Sequence, residues 1–509
     1  MTRPMARQAM STELEDHPDA GEAGDGAQEH DDEAAQAHQR LVSHHRHTLW
    51  IPWTLVLLGI WMVLAPITLG YRNPELWAVP SGGRGVWFSD ATHDSLRAWL
   101  LTWSDVISGA LLIVLGWRAL RPDRPVSRWL ACGVGCWLIF APIVLWSPSA
   151  AGFANDSIVG LVVIALTILI PGMPNMVAYM QMGPATPPGW SYNPSSWAQR
   201  WILIALGFAG LVVSRYLGAY QLGYIDWVWD PFFGFAGGTE PILDSDMSHM
   251  WPISDAGLGA VAYSFEFLMG WMGGTARWRT MPWMVTIFGI LVIPLGLAHI
   301  VLVMSQPVVV HQWCTLCLAA AAIMLPMIPL EIDEVVAMVQ HVRDARRRGD
   351  RGGSSWKIFW LGGTAEGCTA DERSPAIEDL PERPGAVGRA MIWGFSVPPT
   401  LAAAALVGVW LLAAPAVFGV DITSGAADAA HLGGAAVLVV AVTAMGEVVR
   451  PVRLVNLAVA AVVTVTVWLA SPDVAYGAVV TVSALAAAAL SWPRGEIRER
   501  YAGWNAALR

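Results

Sequence analysis

The dominant pattern in the sequence is a recurrence of long apolar runs separated by short polar segments. Twelve runs have roughly the 20 residues that a helix needs to span a bilayer. They lie at about 48–70, 98–118, 127–147, 155–172, 198–220, 257–273, 281–303, 312–330, 389–413, 431–447, 454–470 and 474–491. Because a helix satisfies its own backbone hydrogen bonds in lipid, the pattern predicts an all-α polytopic membrane protein.

The composition supports a membrane location. Of the 509 residues, 55% are hydrophobic and only 14% are charged, whereas about a quarter of an average soluble domain is charged. This excludes a soluble globular enzyme. Residues 1–46 differ from the rest, because they carry ten acidic residues, four arginines and almost no aromatic side chains. Such a segment cannot bury a core, and we predict a disordered acidic cytoplasmic tail.

The arginines predict the orientation of the chain. Cytoplasmic loops of membrane proteins are enriched in positive charge, and alternate loops hold most of the arginines beyond the tail. These are Arg118, Arg121, Arg124, Arg128, Arg277, Arg279, the 343–351 cluster, Arg450 and Arg453. The opposite loop, 221–256, contains six acidic residues and no basic one. Both termini are therefore predicted to be cytoplasmic. Lys357 is the only lysine among 30 basic residues, which suggests a GC-rich bacterial genome and a bacterial plasma membrane.

The twelve predicted helices fall into three four-helix blocks. The blocks occupy residues 47–172, 198–330 and 389–492, with linkers at 173–197 and 331–388 and a cytoplasmic tail at 493–509. The outer two blocks repeat one another. The shared motif is Trp-x-x-x-Ala-Pro at 61–66, 137–142 and 410–415, with a shortened form at 468–472, and an Asp-x-x-x-Gly spacing follows at Asp105, Asp156 and Asp473. With Trp146-Ser147-Pro148, these blocks resemble the SPW-repeat membrane family. Chance similarity between helices rich in tryptophan and proline is the alternative.

Cys314 and Cys317 form the one CxxC spacing among five cysteines. They open the predicted 312–330 helix at its outer end, where the helix N-terminus favours a thiolate. A zinc site would need a second cysteine pair, which the sequence lacks, so no metal site is expected. Outside the membrane, disulfide chemistry is more plausible than metal binding. Purely structural cysteines are the alternative on these grounds.

Residues 198–330 also resemble a known family on three groups of residues around this motif. The matching segments are Ser214-Arg215-Tyr216-Leu217, Ile242-Leu243-Asp244-Ser245 with Gly257-Leu258-Gly259-Ala260-Val261-Ala262-Tyr263, and Trp313-Cys314-Thr315-Leu316-Cys317-Leu318. The family is the bacterial part of the vitamin K epoxide reductase family, which are four-helix, quinone-linked thiol oxidoreductases. The resemblance implies the same four-helix bundle for the middle block.

The resemblance implies a membrane thiol:quinone oxidoreductase. Cys314 would exchange with a thiol partner, expected to be a periplasmic thioredoxin-fold protein, and Cys317 would face a membrane quinone, either menaquinone or ubiquinone. The family's outer loop normally carries a cysteine pair that relays electrons to the CxxC. Here no cysteine lies between Cys136 and Cys314, and Thr239 stands where the second loop cysteine is expected. Either an outside thiol attacks the disulfide directly, or the domain only binds.

Seven residues are candidates for the quinone site. They are Arg215, Ser245, Tyr263, Glu266, His299, His311 and Trp313. Ionisable groups inside spans are costly and point to function. Glu266 lies one helical turn after Tyr263, so it would bind a quinone oxygen or else pair with Arg215. His299 and His311 would stabilise a thiolate or transfer a proton, or they are ordinary interfacial histidines.

Several aromatic and cysteine residues have two interpretations each. The loop aromatics either cap a quinone pocket or form an ordinary interfacial belt; they are Trp227, Trp229, Phe232, Phe233 and Trp251. Cys132 and Cys136 are best explained by small residues that allow close helix packing. Cys368 is expected to be an idle cytoplasmic thiol.

The second functional hypothesis is of a different class. Two-thirds of the predicted spans lie in the outer blocks, where the sequence carries no obvious redox chemistry. The chain would then be a non-catalytic membrane scaffold or a transport-associated protein that retains a quinone-binding fold. Membrane lipid is the expected partner under both hypotheses, and no nucleic-acid partner is expected.

Overall fold

Helices form nearly all the regular structure in this computed structural model. It describes residues 46–78, 91–121, 125–169, 183–236, 238–470 and 473–508. Those ranges contain isolated β-bridges but no β-strand. The all-α prediction is therefore confirmed. The predicted disordered tail, apart from Arg46, and the start of the first linker lie outside the described residues.

The helices are described here under the three predicted blocks, taken in chain order. The first block has α1 (Trp50–Thr68), α2 (Ala91–Ala119), α3 (Pro125–Val144) and α4 (Ala150–Leu169). The middle block has α5 (Trp197–Gln221), the short α6 (Thr239–Leu243), α7 (Asp255–Trp271), the short α8 (Arg277–Thr280), α9 (Pro282–Val309) and α10 (Thr315–Arg348). After α11 (Ser355–Leu361) and α12 (Pro384–Ala390) come the four helices of the third block, α13 (Pro399–Val417), α14 (Gly425–Thr443), α15 (Val455–Leu469) and α16 (Val474–Ser491).

In the described part of the chain, eleven helices are long and apolar enough to cross a membrane. The predicted span at 257–273 corresponds to α7, which has 17 residues and falls short of that length. The span predicted to end near residue 330 corresponds to α10, which continues to Arg348.

The extension of α10 has a physical cause in buried polar contacts. Glu334 accepts two hydrogen bonds of 2.6 Å from Arg277, and the two side chains are 1% and 0% exposed. Asp333 accepts a 2.6 Å hydrogen bond from the Tyr192 hydroxyl. Arg200 donates to the carbonyl oxygens of residues 270, 272 and 273. Residues 331–348, the first part of the predicted 331–388 linker, therefore continue α10 and pack against the middle block.

The C-terminal segment, predicted to be a tail, is also packed into the core. Tyr501 is fully buried, and its ring lies edge-on to Trp190 with centroids 5.0 Å apart. Glu447 accepts hydrogen bonds from the Tyr501 hydroxyl and from the backbone of Arg498 and Glu499. The segment thus supplies the hydrogen-bond donors for the buried Glu447 carboxylate.

Glycine lets the two helices of a hairpin touch in the repeated blocks. A Cβ atom on Gly59 of α1 would lie 2.6 Å from the Gly109 carbonyl oxygen on α2, which is too close for any side chain. The same contact joins Gly135 to Gly160 and Gly408 to Gly434. Gly59, Gly135 and Gly408 each come two residues before the tryptophan of the repeated motif.

The motif tryptophans link the two hairpins of each block. The Trp61 indole donates to Asn155 on α4 at 2.7 Å, and the Trp137 indole donates to Ser104 on α2 at 2.9 Å. In the third block, Trp410 donates to Ser483 on α16 at 3.2 Å. The repeated motif therefore has the same packing role in both blocks. Asp473 differs from the other two aspartates of the predicted repeat, because it is an exposed N-cap of α16.

The three blocks form one compact unit over Thr48–Arg509. Their turns meet at the end of the molecule that carries the CxxC, which we call the dithiol end. There, the Trp146 indole of the first block donates to the Pro252 carbonyl at 2.9 Å, and the Tyr224 hydroxyl donates to the Ser147 carbonyl at 2.6 Å. The first block therefore contacts the loop that precedes α7.

Replacing Arg277 with methionine should destabilise the protein strongly. The change leaves the Glu334 carboxylate buried without its partner, and breaking a buried ion pair in this way costs about 3–5 kcal/mol. The measurement is the free energy of unfolding in detergent micelles. Arg347→Met is the matched control, since its pair with Asp344 is 3.6 Å long and exposed, and exposed pairs contribute at most about 1 kcal/mol. Equal losses in the two variants would mean that the buried pair contributes no more than an exposed one.

Candidate functional site

The CxxC lies at the first turn of α10, as predicted. Cys314 is the N-cap residue, and its Sγ accepts a 3.0 Å hydrogen bond from the Cys317 N–H. The two cysteines form a disulfide, with their Cα atoms 5.2 Å apart. His311, in the preceding turn, has a φ of 58°. The free N–H groups at the start of a helix stabilise a thiolate, so the position suits a cysteine that alternates between thiolate and disulfide.

The disulfide is covered by protein. Cys314 is 0% exposed and Cys317 is 7% exposed. An attacking thiolate must reach a sulfur atom along the S–S axis. Because Cys314 is fully buried, its sulfur is shielded from an external thiol in the observed conformation.

Asp230 fastens this loop to the CxxC. Its carboxylate accepts hydrogen bonds from the Thr315 hydroxyl, inside the motif, and from the Thr239 hydroxyl at 2.7 Å. The backbone N–H of Phe233 donates to it at 2.9 Å. We call Asp230, Thr239 and Thr315 the Asp230 clamp. Thr239, which stands where a relay cysteine is expected, is therefore part of a polar attachment of the loop.

The electrostatics of the clamp favour the ionised carboxylate. Partial burial raises the pKa of Asp230. The hydrogen bonds from Thr315, Phe233 and Thr239 lower the pKa by more than burial raises it, so that the resulting pKa is about 2. Hydrogen bonds to a charged acceptor are about twice as strong as neutral ones. Sequence reasoning missed Asp230 and Thr315. The available signal was an aspartate before proline in a loop that lacks any basic residue.

Trp313 joins the loop to the third block. Its ring stacks on Phe233, with centroids 6.2 Å apart, and lies edge-on to His431 of α14 at 5.1 Å. His431 is 2% exposed. Sequence reasoning also missed His431, although a histidine inside a span is a recognised signal of function. Four of the five loop aromatics are largely exposed instead of capping a pocket; they are Trp227, Trp229, Phe232 and Trp251.

Three of the predicted quinone-site residues come together beside α10. The Tyr263 hydroxyl donates to the Ala320 carbonyl at 3.0 Å, one turn after Cys317. The His299 ring lies edge-on to Tyr263, with centroids 6.0 Å apart. It follows a π-helical turn, Leu291–Leu295, which contains Pro294; such turns are frequent at functional sites.

Glu266 adds unsatisfied polar atoms to this group. It is 1% exposed, and neither carboxyl oxygen has a hydrogen-bond partner. The Nε2 atom of His299 is also buried and unpartnered. Buried polar groups are normally hydrogen-bonded. A protonated Glu266 carboxyl group and a His299 Nε2–H can each donate to an acceptor oxygen, so these orphan atoms fit a ligand with oxygen acceptors, as a quinone has. We call Tyr263, Glu266 and His299 the polar triad.

The remaining candidates lie elsewhere. Arg215 stacks over the Phe153 ring of the first block at 4.5 Å, and no ion pair joins it to Glu266 in the described chain. Ser245 donates to the Ile242 carbonyl at 2.6 Å within the loop. His311 contacts the Pro307 carbonyl through Nδ1 at 3.2 Å. Among the described residues no group of three or more His, Cys, Asp or Glu side chains could hold a metal ion.

The comparison with known families agrees with this architecture. Residues 201–332 match the model of the vitamin K epoxide reductase family. This match covers most of the middle block, which we call the reductase-type domain. Residues 85–170, in the first block, match the SPW repeat domain. No curated protein and no solved structure matches the chain. The reductase-type domain thus carries both the disulfide and the polar triad, and it supports a membrane redox enzyme of this type.

Replacing Asp230 with asparagine should expose the dithiol of the reductase-type domain. Asparagine keeps the shape of the side chain but loses the charge that strengthens the clamp. We expect several-fold faster alkylation of the reduced cysteines by a bulky maleimide at pH 7. Asp226→Asn is the matched control, because Asp226 is an exposed acid of the same loop. Equal alkylation rates in wild type and Asp230→Asn would show that the clamp does not hold the loop.

The clamp should also open in acid. The pKa of Asp230 is about 2 in the folded chain and about 3.9 for an unperturbed aspartate. A lowered pKa means that the stabilisation is complete above about pH 4 and is lost as pH falls through about 2. Pepsin cleavage of the loop in wild type should therefore rise between these values towards the rate in Asp230→Asn. A constant ratio of the two rates would contradict this.

Proposed function

We propose that the protein is a membrane thiol:quinone oxidoreductase in which Cys314 and Cys317 cycle between disulfide and dithiol. The observation that carries the proposal is a disulfide at a helix N-terminus, one turn from a buried polar triad with unpartnered polar atoms. We further propose that the dithiol end faces the outside of a bacterial plasma membrane.

The first half-reaction is thiol–disulfide exchange. A thiolate of an external dithiol protein attacks the Cys314 sulfur, the S–S bond breaks, and Cys317 leaves as a thiolate. The partner's second thiol then attacks the mixed disulfide, so the partner becomes oxidised and Cys314 and Cys317 are both reduced. The hydrogen bond from the Cys317 N–H to the Cys314 sulfur would stabilise a Cys314 thiolate. The Asp230 clamp must open before this step.

The second half-reaction restores the disulfide. When bound, a quinone would supply the oxidant, taking up two electrons and two protons as the disulfide forms again. Tyr263, Glu266 and His299 are the residues that would hold it, because the unpaired atoms of Glu266 and His299 can donate hydrogen bonds to quinone oxygens when protonated. Glu266 and His299 Nε2 can each hold or move a proton. The apolar side chains of α10 around them would exclude water.

The test separates the two half-reactions in native membranes. Cysteine alkylation should find the pair oxidised, and quinone depletion should leave it reduced. Cys314→Ser should abolish exchange with the dithiol partner, while Cys368→Ser, which changes a thiol outside the site, should leave it intact. Glu266→Gln should slow reoxidation by quinone without changing reduction by dithiothreitol.

Two outcomes would overturn the proposal. A redox state of Cys314 and Cys317 that never responds to quinone depletion would favour the non-catalytic scaffold. Normal quinone-dependent oxidation in Cys314→Ser would also exclude the mechanism.

A further inference from the structure

The first block contains a buried pair of carboxyl groups that the proposed redox function does not use. Asp105 of α2 and Asp156 of α4 are each 0% exposed. They interact electrostatically with one another and with the Tyr71 hydroxyl, which lies in the turn after α1. The Asn155 amide donates to Tyr71 at 3.0 Å and to Asp156 at 3.3 Å.

The pair lacks the partners that a buried charge requires. Neither oxygen of Asp105 has a hydrogen-bond partner of normal geometry, nor does Oδ2 of Asp156. No arginine or lysine of the described chain forms an ion pair with either residue. Removing two like charges from water without a compensating cation is very costly. The two groups therefore do not both stay ionised.

The third block has the same tryptophan and glycine contacts as the first block but lacks these two acids. The tryptophan bonds and glycine contacts align the two blocks, so that Ser483 corresponds to Asn155 and Gly434 to Gly109. In this alignment, Ala430 takes the place of Asp105 and Ala484 that of Asp156, and both alanines are fully buried.

The third member of the group is replaced in the same way. Tyr71 donates its backbone N–H to the Pro66 carbonyl, and Val420 makes the equivalent bond to the Pro415 carbonyl in the third block. The whole polar group of the first block is thus apolar in the third block. A feature that one copy lacks while keeping the fold is not required for packing.

We propose that Asp105 and Asp156 form a buried proton-binding site, in which the two carboxyl groups share one proton. Two adjacent carboxyl groups hold one proton strongly, because ionising both would place like charges together in a medium of low dielectric. The Asn155 amide donates to Asp156 at 3.3 Å and so stabilises the remaining negative charge.

The geometry favours a proton over a metal cation. A metal such as Na⁺ or Ca²⁺ takes several oxygen ligands. Here the Asn155 amide nitrogen points its hydrogens at Asp156 and Tyr71, while its oxygen is occupied by the Trp61 indole. Donor hydrogens repel a cation but are compatible with a singly charged carboxyl pair.

The test is infrared spectroscopy of the full-length protein at pH 7. A protonated carboxyl group absorbs in the carboxylic-acid C=O stretching region, and its band shifts to lower frequency in heavy water. We expect a band of this kind in wild type that Asp105→Ala/Asp156→Ala lacks. That double variant gives the first block the residues of the third, so it should fold. Asp473→Asn, which changes the exposed aspartate of the same sequence spacing, should leave the band unchanged.

Two results would overturn the proposal. A spectrum of the double variant that is identical to wild type would mean that neither carboxyl group is protonated. A band that disappears on adding sodium chloride, but not on adding choline chloride at the same concentration, would mean that the pair binds a metal cation instead.

A second measurement needs no variant. Dicyclohexylcarbodiimide adds across the O–H bond of a protonated carboxyl group, and all its atoms stay on the side chain. Mass spectrometry of wild type treated in membranes should find the adduct on Asp105 or Asp156 and not on Asp473. The absence of an adduct from both buried aspartates would contradict a shared proton.

Discussion

Charge buried inside a helical membrane bundle is the constraint on which the rest of this structure depends. Lipid cannot solvate an ion, so each polar group inside a span needs a partner within the protein. At the end of α10 far from the disulfide, Glu334 meets this need with the bidentate hydrogen bonds from Arg277, and the result is stability. Glu266 and Asp105 have no such partner. The unsatisfied positions are therefore where ligand or proton chemistry is expected, whereas the satisfied ones serve the fold.

The repeated blocks separate scaffold from chemistry within one chain. The contacts that hold each block together are glycine backbones in close approach and tryptophan indoles that cross between hairpins. None of them uses a charged group. A block built in this way tolerates alanine at Ala430 and Ala484 and carboxylates at Asp105 and Asp156 in the same frame. A second copy therefore leaves the first free to acquire a polar site without loss of packing.

The sequence predicted the features that depend on local pattern. Apolar periodicity predicted the helices, and the spacing of Cys314 and Cys317 at a helix start predicted the disulfide, because both are set within a few residues. The Asp230 clamp and the contact of Trp313 with His431 were not predictable, since they join residues distant in the chain. The predicted 331–388 linker begins before α10 ends, for a similar reason. In the sequence, Glu334 has the pattern of a solvated charge, and its buried partner Arg277 is distant in the chain.

Replacing a relay cysteine with Thr239 changes how the loop controls the disulfide. A relay cysteine forms a covalent route to the CxxC, whereas the Asp230 clamp closes that route with hydrogen bonds to Thr239 and Thr315. Thr315 belongs to the first turn of α10, the turn whose N–H groups stabilise a Cys314 thiolate. Opening the loop removes a carboxylate from this turn, and negative charge near a thiol disfavours the thiolate. Access to the disulfide and stabilisation of the thiolate should therefore increase in the same movement.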